Sequence, residues 1–129
     1  MKKFLILMLV SMGSFISVFA QKQAEIKFET IEKNLGTFPE SKPVQTCEFA
    51  FTNVGNAPLV INQAVASCGC TVPSYTKEPI APGKTGTIKV TYNGKGKFPG
   101  HFKKTITVRT NGKTEMTRLY ILGVMEEGK

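Results

Sequence analysis

Cysteines are the residues of this sequence best suited to chemistry, and two of the three stand one glycine apart. Cys68 and Cys70 lie in the segment SCGCT (67–71), and Cys47 is the third. A close pair of this kind can bind a soft ion such as Cu(I), cycle as a labile disulfide, form a structural bridge, or pack as small apolar side chains. The spacing alone leaves all four uses open.

An extended strand would constrain a bond between Cys68 and Cys70. Residues two apart on a strand share a face and lie about 6.6 Å apart between Cα atoms, near the upper disulfide limit of about 6.8 Å. A direct bond would be strained and easily reduced unless the chain bends, which Gly69 permits. A bridge from Cys47 to either partner would instead close a loop of about twenty residues and add about 3 kcal/mol. Each pairing leaves one thiol free.

Other ligands and catalytic groups are scarce. His101 is the one histidine, 31 residues past Cys70 in a lysine-rich segment, where a solvated side chain is expected. A structural zinc site needs four ligands, so the candidate metal ligands are Cys68 and Cys70 alone. The chain has no aspartate, its nine glutamates are scattered, and no catalytic triad is indicated. We therefore expect a protein that is not an enzyme and has no cofactor.

Strands must position these cysteines, because apolar residues recur at every second position. Residues 47–51 and 88–92 alternate apolar and polar side chains, as do residues 105–109. Residues 119–122 are continuously apolar, which indicates burial on both faces or an apolar outer surface. About seven short strands at this spacing, with no helix of useful length, predict an all-β, seven-stranded antiparallel β-sandwich.

Residues typical of turns separate these strands. They combine asparagine and glycine, which tolerate unusual backbone angles, with proline, which cannot donate to a strand ladder. Pro82-Gly83 suits the centre of a type II turn, and Asn111-Gly112 is the strongest hairpin signal. The predicted structural turn residues are Asn53, Gly55, Pro58, Pro82, Gly83, Asn111 and Gly112.

The order of these motifs resembles a family of exported bacterial domains of unknown function. The segments FAFTNVGNAPLVI, ASCGCTVPSY, PIAPGKTGTIKVTYN and GHFKKTITVRTNG carry the resemblance, which covers nearly all of residues 28–124. That family is similar to the Hydin-like and major-sperm-protein-like immunoglobulin folds. The resemblance implies an immunoglobulin-like sandwich, with no established activity, catalytic residue or cofactor, and it assigns no role to Cys47.

The amino terminus predicts export. Lys2 and Lys3 precede an apolar run, and the small-residue spacing before Gln21 is typical of a signal peptidase site. We expect residues 1–20 to be a cleaved signal peptide and residues 21–129 to form one domain in the periplasm or outside the cell. The stretch is short for a membrane anchor, and no later segment is apolar enough to span a bilayer.

The exported part is unevenly charged. Residues 81–125 hold nine Lys or Arg against Glu115 alone, whereas residues 21–80 are nearly neutral. These lysines either solvate strand faces or attract an anionic envelope polymer, and without a stacking platform no nucleic-acid partner is expected. We expect a non-catalytic binding or scaffolding module that contacts a protein through sheet edges, or such a polymer through the basic half. The alternative is a thiol-redox or copper-handling protein that uses Cys68 and Cys70.

Overall fold

Two four-stranded sheets face each other in the structure, a computed structural model that describes residues 22–127. The predicted signal peptide lies outside the described residues. The first sheet has the strand order β1-β3-β6-β5 and the second has the order β2-β8-β7-β4. The strands are β1 (Ile26–Phe28), β2 (Glu32–Pro39), β3 (Val44–Asn53), β4 (Ile61–Ala66), β5 (Thr71–Tyr75), β6 (Thr85–Asn93), β7 (Gly100–Thr110) and β8 (Met116–Glu126).

Side chains from the two inner faces form the apolar core. The period-two pattern of β3 and β6 turns Phe49, Phe51, Ile88 and Val90 inward, where each is almost completely buried. Leu119 and its alternate neighbours do the same from β8 in the opposite sheet. The all-β sandwich predicted from the alternation is therefore confirmed.

The expected seven antiparallel strands need two corrections, and both concern β2. Residues 22–127 form eight strands, and β2 pairs with β8 in parallel, with Glu32 beside Tyr120. A bulge at Gly36, which has a φ of +78°, breaks the alternation of β2. Leu35 and Phe38 consequently both pack against the core although they are three residues apart. This irregular spacing conceals β2 from a search for period two.

The continuously apolar segment 119–122 lies in β8, between β2 and β7 in the second sheet. Leu119 and Ile121 are buried in the core, whereas Tyr120 and Leu122 are half-buried on the outer face. Of the two interpretations, an apolar outer surface is the one that the structure has. No helix in residues 22–127 is long and apolar enough to cross a membrane.

Candidate functional site

The cysteine pair lies in the connection between β4 and β5, where the chain crosses from the second sheet to the first. Cys68 and Cys70 are joined by a disulfide and are both half-buried, with their Cα atoms 5.4 Å apart. They belong to a turn rather than to an extended strand, so the distance falls well inside the usual disulfide range. Gly69 between them does not use a positive φ, and open space surrounds the position of a Cβ there.

Backbone hydrogen bonds hold the cysteine turn, residues 67–70, to both sheets. The amide of Ser67 donates to the carbonyl of Thr105 at 2.9 Å, and the amide of Asn93 donates to the carbonyl of Cys70 at 2.8 Å. Buried Thr71 lies beneath the pair, with its Oγ1 3.9 Å from the Sγ of Cys68 and 3.7 Å from that of Cys70. The turn is thereby fixed between β7 and β6.

Cys47 lies elsewhere, as a free thiol on β3. It faces the core opposite Val90 of β6, and β6 separates its strand from β5. Burial raises the pKa of the Cys47 thiol; nearby Lys33 lowers it less, and Glu48 raises it slightly further. A half-buried thiol with a raised pKa has little thiolate at neutral pH and is a weak nucleophile. The bridge from Cys47 that the spacing left open is not formed.

The described residues do not add ligands to the cysteine pair. His101 is exposed on β7. Within residues 22–127 no group of three or more His, Cys, Asp or Glu side chains could hold a metal ion. A metal at this turn would therefore have the two thiolates of reduced Cys68 and Cys70 as its protein ligands. Two-coordinate thiolate binding suits Cu(I) better than zinc.

The predicted turn residues meet at the opposite end of the first sheet from the cysteines. Asn53 ends β3 and is fully buried, and its Nδ2 donates to the carbonyls of Ala57 at 2.8 Å and Ile80 at 2.9 Å. Its Oδ1 accepts from the amides of Gly55 at 3.0 Å and Glu25 at 3.3 Å. One side chain thus binds four backbone groups in three separate segments, and its role is architectural.

Two other turn motifs surround this asparagine. Gly83 has a φ of +82°, its amide donates to the carbonyl of Asn53, and the amide of Lys84 closes the turn on Ala81. Asn111 follows β7, and its Nδ2 donates to the carbonyl of Pro58 at 3.1 Å. The same side chain accepts from the amide of residue 60 through Oδ1 at 2.8 Å.

Gly112 is needed because the backbone of Ala24 passes close to it, rather than because it forms a two-residue turn. The connection between β7 and β8 runs over residues 111–115, and no residue in it has a positive φ. A Cβ at Gly112 would lie 2.9 Å from the carbonyl oxygen of Ala24. The Asn-Gly pair therefore marks a hairpin with a longer loop than the two-residue type that this pair favours.

The outer face of the second sheet is the most suitable binding surface of the described chain. Its centre is an apolar stripe on β8 formed by Tyr120, Leu122 and Val124. Lys103 lies beside this stripe, with its Nζ 4.8 Å from the centre of the Tyr120 ring and 3.8 Å from an oxygen of Glu32. An open groove of about 500 Å³ on this face is lined by Asn34, His101, Phe102, Lys103, Leu122, Gly123 and Val124.

The sheet edges are poorly suited to pair with another strand. β1 is three residues long, β2 is interrupted by its bulge and ends at Pro39, and the register of β4 shifts between Ile61 and Gln63. β5 carries Pro73, which has no amide hydrogen, in its middle. Short or interrupted edges of this kind disfavour strand addition. The faces and loops are therefore better binding surfaces than the edges.

Sequence reasoning left the apolar stripe as one of two alternatives, and it missed the exposed Phe98 on the separate β6–β7 loop. The apolar stripe was visible as the run 119–122, but the outward orientation of Leu122 depends on the register with β7. The exposed Phe98 was hidden in the lysine- and glycine-rich loop between β6 and β7. The available signal was one large apolar residue among lysines, and composition alone does not reveal its exposure.

A comparison with protein-family models matches residues 26–125 to a family described as "Protein of unknown function (DUF1573)". No curated protein matches the sequence. Among solved structures, a protein of unknown function from Porphyromonas gingivalis W83 aligns with a TM-score of 0.69 at 13% identity. The alignment covers 86% of this chain and 51% of that protein, so this chain spans about half of its length.

Two further structures have the same architecture. The ASH / PapD-like domain of human CEP192 aligns with a TM-score of 0.60 at 10% identity, over 88% of this chain and 93% of that one. The periplasmic chaperone SfaE aligns with a TM-score of 0.57 at 11% identity, over 81% and 59% of the two chains. Such low identities concern the fold, and they confirm the immunoglobulin-like sandwich expected from the motifs.

Proposed function

The chain belongs to the DUF1573 family of proteins of unknown function, and on that premise we propose that it is an exported, non-catalytic immunoglobulin-like module of the bacterial cell envelope. It binds or scaffolds a partner protein through the outer face of the second sheet. The family model and the chaperone-like structures support a binding module of this fold. The finer likeness to Hydin-like and major-sperm-protein-like domains stays a prediction.

The apolar stripe of β8 is the observation that carries this proposal. Tyr120, Leu122 and Val124 place apolar side chains outside the core, beside the groove that His101 and Lys103 border. Large side chains on an outer face are favourable binding sites because a partner removes them from water. The ammonium group of Lys103 beside them favours a partner segment that combines apolar side chains with carboxylates.

Export is supported by the charged, apolar and small-residue pattern of residues 1–20. Periplasmic location is further supported by the periplasmic chaperone among the similar structures. The basic surplus of residues 81–125 would add a long-range attraction to an acidic partner or to an anionic envelope polymer. Of these two partners, the apolar stripe favours a protein, because an anionic polymer would bind to cationic side chains and gain nothing from Leu122.

A pull-down from envelope extract, at low and at moderate salt, tests this function. Three baits are compared: the wild-type chain, a Leu122→Lys variant and a Thr87→Lys variant. Thr87→Lys is the control, because it adds the same charge on the exposed outer face of the first sheet. We expect one protein to be captured at both salt concentrations by the wild type and by Thr87→Lys, and lost with Leu122→Lys. Capture that is equal in all three, or that moderate salt abolishes, would contradict binding at the stripe.

The cysteine turn supports a second candidate function, thiol-disulfide exchange. Cys68 and Cys70 are half-buried rather than enclosed, and their bond lies in a surface connection. A partner thiolate would attack one sulfur to form a mixed disulfide, and the partner's second thiol would then resolve it. The partner would become oxidised, and the pair would take up two electrons and two protons.

Alkylation and mass analysis across a series of thiol redox buffers would test this second function. Reversible reduction of Cys68 and Cys70 without unfolding would support it, whereas a pair that resists reduction, or that stays unreactive once reduced, would exclude it. Cu(I) titration of the reduced chain tests the copper branch. Unchanged affinity in a Cys68→Ser, Cys70→Ser double variant would eliminate that branch.

A further inference from the structure

The loop between β6 and β7 presents a fully exposed aromatic side chain. Phe98 is 96% exposed, far more than any other large apolar residue that the structure describes. Residues 95–99 around it are all exposed as well. A phenylalanine in this position gains nothing from the fold, since its ring makes almost no contact with the rest of the protein. The ring is therefore available to a binding partner.

Hydrogen bonds define the shape of this loop. The amide of Lys95 donates to Oδ1 of Asn93 at 2.9 Å, and the amide of Lys97 donates to the carbonyl of Gly94 at 2.9 Å. Gly96 supports this tight turn with a φ of +80°. The buried amide of Gly94 donates to the carbonyl of Pro43 at 2.9 Å and fixes the base of the loop. The turn therefore presents Phe98 in a defined position.

Three lysines lie at the same end of the sandwich as the exposed ring. Lys95 and Lys97 precede it on the loop, and the anchored β2–β3 turn brings exposed Lys42 to the same end of the sandwich. Within residues 22–127 the structure has one ion pair, and these three lysines are not part of it. Val44, 52% exposed, follows the same turn and adds a second apolar side chain.

The acidic residues at this end include Glu126 in the second sheet and Glu40 in the β2–β3 turn, two residues before Lys42. Glu126 ends β8, and the amide of Glu40 donates to its carbonyl at 2.9 Å. The β6–β7 loop itself has no acidic residue. Its chemistry is therefore that of an aromatic tip with ammonium groups beside it.

We propose that this surface, the lipid tip formed by Lys42, Val44, Lys95, Lys97 and Phe98, binds the surface of an anionic phospholipid membrane. Phe98 enters the boundary between headgroups and acyl chains, and the lysines contact the phosphate groups around it. Aromatic side chains suit that boundary, and each nearby lysine adds attraction to an anionic leaflet. A protein pocket for Phe98 is the competing occupant, but it would not require lysines on both connections around the ring.

The lipid tip is separate from the β8 stripe, so its test does not depend on the proposed partner protein. Co-sedimentation uses the processed chain that begins at Gln21, purified after export and checked by mass. The vesicles contain either phosphatidylcholine alone or phosphatidylcholine with phosphatidylglycerol. A matched control is Val54→Ser, because Val54 is 54% exposed at the opposite end of the sandwich.

We expect the wild type and Val54→Ser to bind anionic vesicles equally. Phe98→Ser should reduce partition at least about ten-fold, given the apolar area of one phenylalanine. Lys95→Gln and Lys97→Gln should each reduce partition to anionic vesicles about five-fold and leave that to neutral vesicles unchanged. Circular dichroism of each variant verifies that the sandwich remains folded.

Three results would overturn the proposal. The first is a wild-type chain that does not bind anionic vesicles, and the second is a Phe98→Ser variant that binds them as well as the wild type does. The third is photo-crosslinking from position 98 in intact cells that yields an envelope protein and no lipid. That result would assign the ring to a protein pocket instead.

Discussion

Replacing Asn53 by alanine should destabilise the sandwich more than any other asparagine replacement at its turns. This side chain is 0% exposed and joins the end of β3 to the backbone of Glu25, Gly55, Ala57 and Ile80. Alanine removes all four hydrogen bonds and leaves a gap that the surrounding backbone cannot fill. The effect is on folding stability, because Asn53 lies at the opposite end of β3 from the lipid tip and in the other sheet from the β8 stripe.

The magnitude follows from the individual contacts. A typical hydrogen bond contributes about 0.5–1.5 kcal/mol net to folding stability, and a buried polar group left without a partner lowers that stability by about 1–3 kcal/mol. The bond to Ile80 is fully buried, but that carbonyl keeps a second donor in the amide of Leu59. The other three bonds are partly buried, so water can replace some of them. We expect a loss of about 3 kcal/mol, out of about 5–15 kcal/mol for a typical domain.

Urea unfolding followed by circular dichroism measures this loss, since the chain has no tryptophan to report by fluorescence. The matched control is Asn34→Ala, because the Oδ1 of Asn34 also accepts from the amide two residues on, that of Gly36, at 2.7 Å. That contact is exposed, so its loss should reduce stability by less than about 1 kcal/mol. If the two variants lose similar amounts of stability, Asn53 is not the junction that its contacts indicate.

Three further outcomes are expected. Gly55→Ala should lower the free energy of unfolding by about 1–3 kcal/mol, because a Cβ there would clash with the main chain of residues 23–25. Gly69→Ala is the control in the same urea experiment: a Cβ at Gly69 meets nothing within 4 Å, so this variant should be nearly neutral. Cys47, whose pKa is raised by burial, should react with iodoacetamide at pH 8 at least about ten-fold more slowly in the folded than in the urea-unfolded chain, and equal rates would contradict its burial. Burial also raises the pKa of Tyr92 above its ordinary value of 10.0, so the stability that its protonated hydroxyl contributes is complete below pH 10 and falls as the pH rises further. Between pH 9 and pH 11 the urea midpoint of the wild type should therefore decrease more than that of Tyr92→Phe. Equal decreases would refute this.

Alternation made the sandwich predictable from the sequence. Residues 47–51 and 88–92 keep a strict period of two because each strand has one face in the core and one outside. β2 could not be found in this way, since the bulge at Gly36 moves Phe38 to an inward position that the period does not predict. Its parallel pairing with β8 depends on a crossing between sheets, which no local pattern encodes.

The turn residues were recognisable locally, but their partners were not. Asn53 and Asn111 were expected to turn the chain, and both do lie in connections. Their hydrogen bonds reach residues 27 positions away at Ile80 and 53 positions away at Pro58. Such contacts follow from the order of strands in the two sheets, so sequence spacing cannot supply them. The exposure of Phe98 is likewise a property of how its loop is anchored.

The cysteine pair closes so short a loop that stability alone gives little reason for it. In the chain-entropy model a loop of about three residues is worth about 1.6 kcal/mol, against about 3 kcal/mol for the twenty-residue loop that a bridge from Cys47 would close. Backbone hydrogen bonds fix the cysteine turn to Thr105 and Asn93, and Asn93 also anchors the loop that carries Phe98, so the disulfide adds a local brace within the turn.

A Cys68→Ser, Cys70→Ser double variant therefore tests whether the disulfide is only a local brace or also positions the lipid tip. The backbone bonds from Ser67 to Thr105 and from Asn93 to Cys70 do not need the sulfur atoms. We expect the variant to lose about 1–2 kcal/mol in urea unfolding and to keep its affinity for anionic vesicles. If vesicle binding is lost while the fold survives, the disulfide positions the lipid tip, and its reduction would then control membrane contact.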